Sequence, residues 1–384
     1  MRVLHVFYGR DIAGGASYSM ATLVEGLARH GHEVHALLPR TGRRVMAERL
    51  TEAGITCHEM TVPWQVYDAK GSTVSTRLKN YAKGIWSLAT TAVMEIVTLT
   101  LIRRHQIDVV HIGGAVITTG SVAARVLKVP LVWHVREFVE EGLGFRYFPW
   151  INFYRALSRA HAVVCVSDEL SGKMRNFTAS HRVRTVANGL ALPPAAIAPR
   201  VSGGAIRLMS AGGLNRSKGI FVLMEALSGL PRDLQCSLDV YGRANPDQLA
   251  EFARECERLG LQDVVTYRGH HPDMPEVYRS HDACVVASTK EAFGRVTVEA
   301  MLSGCLVVGS DSGGTRELLR DNRGLLFAPD DPFALRSALA RVLQNYSSFD
   351  VVRQRAVAYA QSEFSVDRYV GKVAETYANV VQGV

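Results

Sequence analysis

The stretch RVLHVFYGRDIAGGASYSMATLVEGLARHGHEVHALLP, residues 2–39, reads as strand, glycine loop, helix and strand. In its middle, Met20, Leu23, Val24 and Leu27 fall at i, i+3, i+4 and i+7, one face of a helix that Gly31 ends. Short apolar strands separated by a helix imply a parallel sheet covered on both faces. The same rhythm continues through IDVVHIGG, a helix of small residues, VPLVWHV and AHAVVCVS. PPAAIAPRVSGG, residues 193–204, breaks it with three prolines and two glycines and marks a domain junction. It then restarts with AIRLMSAGG, LMEALSGL, LQCSLDVYG, DVVTYRG, ACVVAS and CLVVGS. The expectation is an α/β chain of two doubly wound, Rossmann-like domains, residues 1–195 and 196–362. Their ligand site should be the interdomain cleft at the carboxyl ends of the two sheets. From about residue 333 the pattern is helical, and a last helix at 363–384 is expected to pack back on the first domain.

A length of 384 residues suits two cores better than one. With 47% hydrophobic and 21% charged residues and no low-complexity tract, large-scale disorder is excluded. The net charge of +8 is unevenly placed: residues 1–200 hold 24 basic and 14 acidic side chains, residues 201–384 hold 20 and 22. A one-sided basic domain points to nucleic acid, an anionic membrane or an anionic substrate. No nucleic-acid module is present, so the last two lead. MRVLHVFYG lacks the long apolar core and cleavage site of a signal peptide, and a cytoplasmic chain is expected, with contact at the inner face of the membrane. Cys57, Cys165, Cys236, Cys256, Cys284 and Cys305 are widely spaced and read as free thiols.

Two segments bear on the membrane. IWSLATTAVMEIVTLTLI, residues 85–102, is apolar over a bilayer's span but holds Glu95 and four threonines, and is expected to be a buried packing helix. GLGFRYFPWINFYRALSR, residues 142–159, interleaves aromatic residues with Arg146, Arg155 and Arg159. It suits either a packed loop and helix or an interfacial patch against lipid headgroups.

The chemistry concentrates in KEAFGRVTVEA, residues 290–300. Glu291 should sit on a loop before a helix and Glu299 about one turn inside it. The amides of Phe293, Gly294, Arg295 and Val296 would face outward at the helix start, an anion site suited to a diphosphate. Glu291 could simply complement the helix dipole. Glu299, among apolar neighbours, needs a partner, and a ligand hydroxyl is a natural one. In AGGLNRSKG, Arg216 and Lys218 lie after the second domain's first strand, where basic side chains can neutralise a leaving diphosphate. Gly14 and Gly15 form a loop without the G-x-G-x-x-G spacing of a dinucleotide site. His134, closing VPLVWHV, should face the same cleft. There is no D-x-D, H-E-x-x-H, G-x-S-x-G or full Walker loop, so metal-free electrostatic catalysis without a cofactor is expected.

KEAFGRVTVEAMLSGCLVVGSDSGGTREL resembles the E-x7-E region of retaining glycosyltransferases of the two-Rossmann-domain (GT-B) type, family 4. The likeness extends over nearly the whole chain, through the glycines at 14 and 15, His134, ANGL at 187–190, the KG at 218–219 and GLLFAPDDP from 324. It implies that Glu291 binds the donor sugar and Glu299 the nucleotide ribose. It further implies that the 293–296 amides hold sugar hydroxyls and phosphate, that Lys218 clamps the diphosphate, that Gly15 lies near the β-phosphate and that His134 lies beside the sugar. The family commonly has an arginine where this chain has Gly213, and Arg216 is the candidate replacement. The expected activity is metal-independent, retaining transfer from a UDP- or GDP-sugar to a glycan or lipid-linked acceptor in envelope polysaccharide synthesis. Alternatives are an epimerase or phosphorylase of the same fold, or a non-catalytic sugar-nucleotide-binding subunit.

Overall fold

Strands whose residues alternate between two buried faces need helices above and below, and the chain supplies them in sequence order. The computed structural model describes residues 1–9, 15–40, 45–68, 74–148, 150–191, 205–231 and 234–383. Gly14 and the 193–204 stretch lie outside them.

The chain forms two compact units, one of Met1–Leu190 with Ser365–Val384 and one of Ala191–Phe364. The expected divisions at 195 and 362 stand a few residues from these. The first unit runs β1 (Arg2–Val6), α1 (Gly15–Arg29), β2 (Glu33–Pro39), α2 (Val45–Glu52), β3 (Thr56–Met60), β4 (Val66–Asp68) and α3 (Val74–Arg104). It continues with β5 (Val109–Ile112), α4 (Ser121–Val126), β6 (Leu131–Val135), β7 (Phe145–Tyr147), α5 (Trp150–Leu157), β8 (Ala162–Cys165), α6 (Asp168–Met174) and β9 (Val183–Thr185). Seven strands form a parallel sheet in the order β3-β2-β1-β5-β6-β8-β9, and β4 pairs antiparallel with β7. The face of α1 read from the sequence is the buried one: Met20, Leu23, Val24 and Leu27 expose nothing. Each such side chain contributes about 1.5–3 kcal/mol of burial.

The second unit runs β10 (Ile206–Ala211), α7 (Ile220–Ser228), β11 (Cys236–Tyr241), α8 (Pro246–Leu259), β12 (Val265–Gly269), α9 (Met274–Ser280) and β13 (Ala283–Val286). Then come α10 (Arg295–Leu302), β14 (Leu306–Ser310), α11 (Gly313–Leu319), β15 (Leu325–Phe327), α12 (Pro332–Gln344) and α13 (Asp350–Glu363). Its parallel sheet has the order β12-β11-β10-β13-β14-β15. The order reverses beside β10, so the loops after β10 and β13 diverge around a crevice at the sheet's carboxyl edge. The last helix, α14 (Val366–Gln382), returns to the first unit, where Tyr369, Val370, Val373 and Tyr377 join the core around α1.

α3 corrects one expectation. Only 28% of its most apolar part is buried, so it is not a buried packing helix. Its inward face is polar: Ser87, Thr91, Glu95 and Thr98 are buried. Ser87 Oγ donates to the Trp64 carbonyl at 2.8 Å, and Glu95 accepts from the amides of Gly120 and Ala123 at 2.9 and 2.8 Å at the start of α4. Its outward face carries Tyr81, Ile85, Trp86, Val93, Ile96 and Val97, with Ile96 68% exposed. By length and composition α3 could cross a membrane, yet its polar stripe is consumed by hydrogen bonds within the protein. The aromatic segment at 142–159 is largely packed inward instead, with Tyr147 stacked on Phe153 at 4.2 Å and Tyr154 on Phe177 at 3.9 Å.

Candidate functional site

Three loops at the carboxyl edge of the second sheet are bonded to one another. Thr289 N donates to the Ser217 carbonyl at 3.1 Å, Ser312 Oγ to the Thr289 carbonyl at 2.9 Å, and Gly314 N to the Glu291 carbonyl at 2.8 Å. The last contact needs glycine. A Cβ on Gly313 would lie 2.2 Å from the Glu291 carbonyl oxygen, and one on Gly314 2.3 Å from that of Phe293. The GG of SGGTREL therefore presses the start of α11 against the backbone of the glutamate loop.

Within this frame Lys218 Nζ donates to Glu291 Oε1 at 2.7 Å. The two residues lie 73 positions apart, yet both side chains remain partly open to solvent, at 36% and 21%. Gly294, at φ 88°, caps α10 without a side-chain hydrogen bond, leaving the first amides of the helix without an intrahelical acceptor. Phe293 is buried with its ring edge-on to Phe364 at 5.6 Å, which fixes the turn from inside. Val296 follows in the first turn of α10.

Glu299 has partners within the protein. It is buried on α10, where Arg295 Nε donates to Oε1 at 2.6 Å and Tyr278 OH donates to Oε2 at 2.9 Å. Burial, then the Glu299 charge, push the Tyr278 hydroxyl well above its usual pKa, so it remains a donor. Glu291 and Glu299 thus have separate partners, an arrangement unlike a pair of carboxylates sharing one proton.

The departure at Gly213 has a steric cause. Its φ is +79°, and a Cβ would meet the Arg243 carbonyl oxygen at 2.3 Å, so no side chain fits. Arg216 does not fill the gap in this conformation. Its guanidinium pairs with Glu251 on α8 and lies 4.9 Å over the Phe221 ring, and its side chain is 74% exposed.

In the first unit, Gly15 is exposed at the start of α1, after the carboxyl end of β1. His134 is a correction. It has no exposed surface, Arg136 donates to its Nδ1 at 3.1 Å, and it packs beneath α14 with His5, His111, Tyr369 and Tyr377. It faces the core because β6 is buried along its whole length. Arg136 is held by Asn188 Oδ1 and Tyr369 OH, both at 2.6 Å, so ANGL and the last helix together surround this buried cation.

The carboxyl edge of this sheet presents groups that motif reading missed. Tyr8 OH donates to Glu137 Oε1 at 2.6 Å, and burial is the leading cause raising both pKa values. Beside them stands Trp64, 43% exposed, its Nε1 donating to the Tyr8 carbonyl at 2.8 Å. The pairing of β4 with β7 brings this ring within 6.2 Å of Phe145, and such three-residue strands carry no periodic signal.

The family model described as Glycosyltransferase Family 4 matches residues 13–192, and that described as Glycosyl transferases group 1 matches residues 199–362. The chain is similar to the phosphatidyl-myo-inositol mannosyltransferase of Mycobacterium leprae, 27% identical across 91% of this chain and 88% of that one. It is also similar to the lipopolysaccharide core biosynthesis mannosyltransferase LpsB of Rhizobium meliloti, 27% identical across 44% of this chain. That match spans about half the relative's length, 51%. Among solved structures, Anabaena Alr3699/HepE superposes with TM-scores of 0.77 in complex with UDP and 0.75 with UDP-glucose. Both are 19% identical and cover 99% of this chain and all of that one, a likeness of fold.

Proposed function

The chain belongs to the glycosyltransferases of family 4, with their two-Rossmann-domain fold, and on that premise we propose that it moves a hexose-type sugar from a nucleotide-diphosphate sugar to a glycan or lipid-linked acceptor with retained anomeric configuration. The observation that carries the reading is the Lys218–Glu291 pair, half-open at the carboxyl edge of the second sheet beside the start of α10. A diphosphate placed there would take up Lys218 and the α10 amides, and so free the Glu291 carboxylate to accept from a sugar hydroxyl. Glu299 keeps spare lone pairs beyond its bonds to Arg295 and Tyr278 for the ribose. UDP and UDP-glucose in the Alr3699/HepE structures support a nucleotide-sugar donor.

The sugar–phosphate bond would break with its electron pair leaving on the diphosphate. Lys218 and the helix amides would stabilise that charge, without a metal. The acceptor oxygen would bond to the anomeric carbon on the same face and pass its proton to the departing phosphate oxygen. We assign neither glutamate the role of nucleophile: the freed Glu291 would accept from a sugar hydroxyl, and Glu299 is held by Arg295 and Tyr278. Trp64 offers an exposed ring on which an acceptor sugar can lie.

The outward face of α3 supports a membrane-bound acceptor. Between residues 85 and 99 its one charged residue, Glu95, points inward, while Lys79, Lys83, Arg103 and Arg104 flank the apolar face. That pattern fits an anionic lipid surface, in a role in envelope glycoconjugate synthesis at the inner face of the cytoplasmic membrane.

The test is transfer from labelled UDP- and GDP-sugars to lipid and glycan acceptors, with the product anomer read by NMR. Retention is expected, and Glu291→Ala should lower turnover by about 10²–10³ while nucleotide binding survives. An inverted product, or unchanged turnover in the variant, would overturn the reading.

A further inference from the structure

Three histidines far apart in sequence meet at the other side of the first sheet. His35 is the third residue of β2 and His58 the third of β3. Leu37 lies opposite His58 in the parallel register, so His35 and His58 project from the same face of neighbouring strands. His105 directly follows α3, its amide still donating to the Leu101 carbonyl at 3.0 Å, and this last turn lays its ring against the other two. Ring centroids are 5.4 Å apart for His35 and His58, 4.4 Å for His35 and His105, and 5.1 Å for His58 and His105. One nitrogen from each ring lies within 4.8 Å of the others.

The details of the pairing suit a cation. His35 Nδ1 and His58 Nε2 are 3.2 Å apart. Two imidazole nitrogens on one tetrahedral ion, with bonds of 2.0–2.1 Å, stand about 3.4 Å apart. The other nitrogen of His35, Nε2, faces Glu33 Oε1 at 3.0 Å. A carboxylate that takes the N–H of one ring nitrogen leaves the lone pair on the other, which is the usual way a ligating histidine is oriented. His58 can carry its own proton on Nδ1, so coordination through Nε2 requires a change of tautomer and no net ionisation. His35 is buried, while His58 and His105 reach solvent, which gives an entry path.

We propose that His35, His58 and His105 bind one divalent transition-metal ion, zinc by ligand type, with water completing a tetrahedron and Glu33 orienting His35. The ion ties the edge strand β3 to β2 and to the end of α3. Lys218, Glu291 and Glu299 belong to the other unit, so this is a structural site, independent of the sugar-transfer reading.

The test uses the full chain without an affinity tag, stripped with a chelator and titrated with Co²⁺. Saturable one-to-one binding is expected, with the strong visible absorption of tetrahedral cobalt, displaced by Zn²⁺ and accompanied by a rise in melting temperature. Glu33→Gln should weaken binding by roughly 10–100-fold. His105→Gln, at a half-exposed helix end, should abolish it, and His271→Gln in the exposed HHPD turn should leave it intact. Absence of saturable binding by the unaltered chain, or a signal that survives His105→Gln and is lost in His271→Gln, overturns the proposal.

Discussion

Single residues gain their meaning here from partners that sequence spacing does not reveal. Glu291 and Lys218 were each legible as site candidates, from a glycine turn and a strand-end loop, but their ion pair spans 73 positions. The protein partners of Glu299 are only half legible: Tyr278 comes from another helix, while Arg295 sits one turn back, where an i,i+4 pair is readable. His134 is the sharper case. A histidine at a strand end gives no sign of which way it faces, and here it closes a buried row with His5 and His111. Burial, then the charge of Arg136, keeps the His5 and His134 pKa values well below 6.5; burial, then His5, does so for His111. An unfolded chain takes up protons below about pH 6.5 that these rings cannot accept in the fold. Stability is therefore fully present above that pH and falls as the pH drops through and below it, by up to about 1.4 kcal/mol per pH unit for each ring. Urea unfolding between neutrality and mild acid should show this slope, shallower by one ring's share in His5→Leu. A flat profile would contradict it.

At the scale of elements, apolar strands and the helix at 15–29 were legible because burial on two faces and a 3.6-residue stripe leave clear marks. The β4–β7 ribbon was not, since three residues per strand are too few to show a period. α3 misled for a different reason. Ser87, Thr91, Glu95 and Thr98 do form a helical stripe, but a polar stripe conventionally faces water. Here it faces the protein, where Glu95 satisfies the amides at the start of α4, and the apolar side is left outside. An inverted helix on a basic domain is expected to bind anionic vesicles. The protein should co-float with vesicles containing anionic lipid and less so with zwitterionic ones. Val93→Glu with Ile96→Glu should abolish flotation while changing stability by only about 0.5 kcal/mol at each exposed site. Equal flotation of the variant would remove α3 from the contact.

At the scale of the whole molecule, the two-domain reading followed from the repeated strand–helix rhythm and a proline-rich interruption. The return of α14 to the first unit could be anticipated only loosely. Its reason is visible in the structure: Tyr369 and Tyr377 supply the hydroxyls that Arg136 and His111 need once buried. The second unit carries the proposed donor grip by itself, through Lys218, Glu291 and the glycines at 313 and 314. The most direct test of that claim is a thermal-shift panel of nucleotide-diphosphate sugars on the unaltered chain, Lys218→Ala and Lys218→Ala with Glu291→Ala. A UDP- or GDP-sugar should raise the melting temperature of the unaltered chain, the shift corresponding to about 2.7 kcal/mol at a hundredfold excess over Kd. It should be largely lost in Lys218→Ala, where an unneutralised carboxylate faces the diphosphate, and partly recovered in the double variant. No shift with any such donor at millimolar concentration, or an undiminished shift in Lys218→Ala, would contradict the account.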